Sequence, residues 1–100
     1  MPKVECILRT RQLAEELAAA LRARGWSMRH LAREAGVSYP LVFSMFHPEH
    51  TSNVSKTRGA TVIGALVPKP IERIPVLKSA GFDIRVIGSS DGLPDQVQLL

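Results

Sequence analysis

Apolar residues recur at helical intervals through the first half of the chain. Leu13, Leu17, Ala20 and Leu21 stand at i, i+4, i+7 and i+8, with Glu15, Glu16 and Arg22 between them. That spacing predicts an amphipathic helix of high intrinsic propensity. Gly25 ends it, and Trp26 is placed to fold back on its last turn. Ser27 opens a second helix as its N-cap, Leu31, Ala32 and Ala35 form the buried stripe, and Gly36 ends it. Ser38 caps a third, with Pro40 in the first turn, where a missing N–H costs nothing. Val42, Met45 and Phe46 face inward on that helix, and His47-Pro48 closes it.

The second half is punctuated by proline. Residues 48–58 are polar and read as a loop, and residues 61–67 form a short apolar helix that Pro68 and Pro70 terminate. Residues 71–80 are interrupted by Pro75 and stop at Gly81, which predicts a turn followed by a short helix. Phe82, Ile84 and Val86 alternate with Asp83, Arg85 and Ile87, a strand pattern over 82–87. Residues 3–8 are a weaker strand that pairs with it in this reading. The tail turns at Ser89-Ser90-Asp91-Gly92, and Val97, Leu99 and Leu100 are either loose or a last strand. The expectation is one mainly α domain over 1–100: a helical core of four to five helices at 10–80, with a small C-terminal β element and tail at 81–100.

Composition agrees with a folded globule, since 45% of residues are hydrophobic and 22% charged. The single cysteine, Cys6, excludes an intramolecular disulfide, which favours a reducing, cytoplasmic setting. No apolar run approaches the roughly 20 residues of a membrane span, and no basic-then-apolar leader opens the chain, so no membrane partner is expected. The formal charge is +4, and its distribution is uneven. Nine bases oppose five acids from Met1 to Arg58, whereas four oppose four from Gly59 onward. Arg22, Arg24, Arg29 and Arg33 follow one another with no acid between them, a cluster suited to a polyanion.

The spacing of Leu31-Ala32, Gly36-Val37-Ser38 and Val42…Met45 meets the demands of a helix-turn-helix over 27–47. Gly36 supplies a left-handed turn, Ala32 is small where the helices nearly touch, Val37 plugs the gap under the turn, and Val42 packs back on Leu31. The second helix of such a pair projects from the surface and enters a major groove about 12 Å wide. At residues 27–46 the chain resembles the lambda-repressor-like (Cro/cI, XRE-type) family, whose fold is a helical bundle built around this motif. The family usually opens the first motif helix with Gln, and Met28 stands there instead.

The resemblance implies base reading by Tyr39, Pro40, Phe43, Ser44 and His47, with Phe43 and Pro40 on thymine methyls and Ser44 and His47 donating hydrogen bonds. It implies phosphate contacts from Ser27 and the amides behind it, from Arg29 and Arg33 one turn apart, and from Lys56 and Arg58 in the loop. The reading helix carries no Arg, Lys, Asn or Gln, the side chains that best discriminate bases. Further along, Gly59, Val62-Ile63, Ala65-Leu66, Pro70 and Ile74-Pro75 are similar to the segment after the motif in Ner-type regulators of Mu-like phages.

The expected function is therefore a sequence-specific transcriptional regulator of phage or mobile-element type, a repressor above all, acting on double-stranded DNA as a homodimer joined through the proline-punctuated segment and the 82–87 strand. The alternative is a protein-interaction module, such as an antitoxin or a polymerase-docking regulator, with Leu41 and Phe43 as an exposed apolar face. A DNA-binding subunit of a recombination or packaging machine is a third reading. No enzyme, cofactor or metal is expected. The His47-Pro48-Glu49-His50 run has no helical two-histidine spacing, and nothing local activates Cys6.

Overall fold

The computed structural model describes residues 5–49, 53–88 and 94–99. Among these residues the chain is mainly helical, with α1 (Arg11–Arg24), α2 (Met28–Ala35), α3 (Tyr39–Phe46), α4 (Lys56–Leu66) and α5 (Pro70–Ser79), followed by β1 (Ile84–Gly88) and β2 (Pro94–Leu99). The first three helices begin and end where their local chemistry predicts. The Thr10 hydroxyl accepts from the Leu13 amide at 3.1 Å, and Ser27 does the same for His30 at 3.1 Å. Gly25 and Gly36 take φ of +68° and +69°. After each, the next amide reaches back inside the helix, Trp26 to the Leu21 carbonyl at 3.2 Å and Val37 to that of Ala32 at 3.0 Å. Each is a six-to-one closure that satisfies orphan carbonyls and brings an apolar residue down on the last turn. Ser38 holds the N-cap position of α3 through its backbone, without a side-chain capping bond.

The later elements depart from expectation in physically specific ways. Helix α4 starts at Lys56, five residues before the expected 61, because Ser55 caps it by accepting from the Arg58 amide at 3.3 Å. Its buried residues Gly59, Val62, Ile63 and Leu66 form one unbroken stripe. No glycine ends α4. It ends at Leu66 just ahead of Pro68, as expected. Arg24 of α1 donates to the Ala65 carbonyl of its last turn at 3.1 Å, and Arg73 of α5 donates to the carbonyls of Val67 and Pro68 just beyond it. Helix α5 runs through Pro75 rather than breaking there. The bond lost at Pro75 is the one to the Ile71 carbonyl, and both residues lie on the exposed side of the helix.

The segment before α1 does not pair with the later strand. Cys6 bridges Ser55, the Ile7 amide donates to the Val54 carbonyl at 2.9 Å, and the Leu8 amide donates to Ala80 at 2.9 Å. It is thereby held between the start of α4 and the end of α5. Strand β1 pairs instead with β2, antiparallel, with Ile84 opposite Leu99 and Val86 opposite Val97. The expected turn at Ser89-Ser90-Asp91-Gly92 lies outside the described residues, as do Lys3, His50 and Leu100. One hydrophobic cluster joins Leu13 and Leu17 of α1, Leu31 of α2, Val42 and Met45 of α3, Val62 and Ile63 of α4 and Leu77 of α5, with Ile7, Val54 and Phe82 from the connecting segments. No helix among the described residues is long and apolar enough to cross a membrane.

Candidate nucleic-acid interface

Two eight-residue helices, α2 and α3, are joined by Gly36, Val37 and Ser38. Val42 and Met45 anchor α3 to the core. At 100° per residue this turns Pro40, Phe43 and His47 away from it, with Tyr39 on one flank and Ser44 on the other. Pro40 is exposed, and Tyr39, Phe43 and His47 are partly exposed. Their rings form a row at four-residue spacing. The Phe43 ring stacks on that of His47 with centroids 4.1 Å apart, and Tyr39 stands tilted 6.2 Å from Phe43. The His47 Nδ1 lies 3.3 Å from a carboxylate oxygen of Glu49.

Ser44 does not join this face. It is only 4% exposed, and its hydroxyl donates to the Pro40 carbonyl at 3.0 Å, one turn back. The reason is tertiary: the segment before α1 covers that flank, where the Arg9 guanidinium donates to the Ser44 carbonyl at 3.3 Å. Leu41 is a second correction. It is not an outward residue but packs partly against the core, about 160° around the helix from Phe43.

The basic residues divide into two groups. Arg29 and Arg33 are exposed on α2, and the Arg29 guanidinium sits 4.6 Å over the Tyr39 ring, tying α2 to the outer row of α3. Ser27 caps α2, so the amides of Met28 and Arg29 are those that the helix itself leaves unbonded. Arg58 is exposed in the first turn of α4, not in a loop, and borders a surface cleft of about 290 Å³ with Gly36, Val37 and Ser38. Lys56 is placed differently. Its ammonium lies 3.6 Å from the Glu5 carboxylate and 5.7 Å over the Phe82 ring.

The structure thus places Arg29 against Tyr39 and Arg58 against the turn at residues 36–38, with Arg33 exposed one helical turn beyond Arg29. Ser27 and His47 stand at the ends of α2 and α3 away from that turn. Arg9 was not anticipated as a neighbour of α3. No spacing rule reports it, because 35 residues separate it from Ser44. Chemically, the surface offers cations beside an apolar, aromatic ridge. Comparison with known proteins gives no match: no family model, no curated protein and no solved structure is similar to this chain.

Proposed function

We propose that this chain is a sequence-specific DNA-binding transcriptional regulator, a repressor of phage or mobile-element type, with Ser27 to His47 acting as a helix-turn-helix. One observation carries the reading: a left-handed turn at Gly36 joins two eight-residue helices, and the second turns Pro40, Phe43 and His47 away from the core, with Arg29 over the Tyr39 ring and Arg58 at the turn. In this reading α3 enters the major groove, while Arg29, Arg33, Arg58 and the start of α2 hold phosphates. Two subunits read half-sites one turn apart, roughly 34 Å, and join through α5 and the β1–β2 hairpin. The work is done in the cytoplasm and without catalysis.

The alternative, an interaction module built on Leu41 and Phe43, asks two side chains on opposite sides of α3 to form one patch, and Leu41 is partly taken by the core. The decisive experiment is selection of bound duplexes from a random pool. A palindromic consensus with half-sites one helical turn apart is the expected result. A pool that remains unenriched at moderate salt overturns the proposal.

A further inference from the structure

If α3 reads bases, its own side chains restrict how. Helix α3 has the sequence YPLVFSMF, so Tyr39 and Ser44 hold its only hydrogen-bonding side chains. Ser44 is buried and its hydroxyl is used on the Pro40 carbonyl. His47, just beyond the helix, is stacked on Phe43 and placed against the Glu49 carboxylate. Between Tyr39 and His47 the outer face offers only apolar groups, the exposed pyrrolidine of Pro40 and the partly exposed ring of Phe43. In the major groove the one apolar group on a base edge is a methyl on C5 of a pyrimidine, that of thymine or of 5-methylcytosine.

Charge supports duplex DNA as the occupant of this face. The Arg29 guanidinium lies over the Tyr39 ring, Arg58 shares a cleft with the turn at residues 36–38, and Arg33 is exposed one helical turn from Arg29. A hydrophobic protein partner would gain nothing from cations so placed. The Arg29 guanidinium lies 4.6 Å over the Tyr39 ring, whose centroid stands 6.2 Å from that of Phe43, so one of these cations sits at the flank of the ridge.

We infer that the Pro40–Phe43 ridge selects DNA by covering pyrimidine C5-methyl groups in the major groove. The inference rests on the proposed DNA-binding function, and the test separates the two. Four alternating duplexes of about 24 base pairs serve as probes: dA–dT, dA–dU, dG–dC and dG–5-methyl-dC. Members of each pair differ only in the C5-methyl. Affinity is measured for the full chain by fluorescence anisotropy at one moderate salt concentration.

Burying one methyl corresponds to roughly fourfold in affinity, so the methylated member of a pair should bind about fourfold or more tighter. Preference in both pairs identifies the methyl itself as the recognised group. Preference in only the first identifies thymine, and preference in only the second identifies methylated cytosine. The preference should shrink towards unity in Phe43→Ala and in Pro40→Ala. The second variant alters an exposed first-turn residue, so it carries the test should Phe43→Ala fail to fold. Binding of all four duplexes with equal affinity overturns the inference and leaves DNA binding standing. A methyl preference untouched in Pro40→Ala and in a folded Phe43→Ala overturns its assignment to α3. Binding to none of the four at low salt overturns the DNA-binding proposal, and the inference with it.

Discussion

Gly59 and Gly64 lie in the same helix, and their surroundings give them opposite tasks. A Cβ built on Gly59 would stand 2.7 Å from Cγ2 of Ile7, a branched atom on a buried side chain with little room to move. At Gly64 a Cβ would meet nothing within 4 Å. Gly64→Ala should therefore stabilise by about 0.5–1 kcal/mol, the ordinary helix preference for alanine. Gly59→Ala should destabilise by about 1–3 kcal/mol, because overpacking outweighs propensity. Denaturant midpoints at unchanged slope check both, and equal shifts for the two variants would remove the close approach of the first segment to α4. Ser44 depends likewise on its surroundings. With its hydroxyl turned inward, Ser44→Ala should leave the preference among duplexes unchanged and alter stability by no more than about 1 kcal/mol. A changed base preference in a binding titration would return Ser44 to the reading face.

Among the elements, α2 through α3 was the most legible stretch, and the cause is local. Ser27, Gly36 and Pro40 act within one or two turns of their own position, so their effects are written in neighbouring residues. Helix α4 was half legible. Its apolar stripe and its end before Pro68 show in the sequence, but its start depends on Ser55 inside a polar run that looks like loop. Pro75 misled for a related reason: on the exposed side of a helix, the lost N–H bond and the crowding of the carbonyl four residues back are tolerated. The two groups of cations lead to a prediction at this scale. If Arg33 holds a phosphate, Arg33→Ala should make the plot of log affinity against log salt shallower by about 0.9. Lys56→Ala should leave that slope nearly unchanged, because Lys56 already faces Glu5 and Phe82. Equal slope changes from the two variants would contradict the proposed orientation of the duplex.

For the molecule as a whole, the charge excess and the outward face of α3 fall in the same half of the chain, while α5 and the hairpin are formally balanced. That division suits a basic first part for the proposed duplex contacts and a neutral second part for the proposed self-association. A two-stranded hairpin is marginal by itself, and among the described residues β1 and β2 pair only with each other. If a second copy covers them, the thermal midpoint should rise with protein concentration, because association stabilises by mass action. A midpoint constant over about a hundredfold range of concentration would reject the homodimer.

By itself, the sequence determined a mainly helical chain, the end of α1, the limits of α2 and α3, the left-handed turn at Gly36 and the concentration of arginines near it. These follow from spacing, capping and charge, which act between close neighbours. Only the tertiary structure decided that Ile7 fills the space over Gly59, that Arg9 meets Ser44, that Leu41 leans on the core and that β1 pairs with β2. Each of these joins residues apart in sequence. Such contacts arise from filling one shared core, where a position's burial depends on what the rest of the chain lays over it.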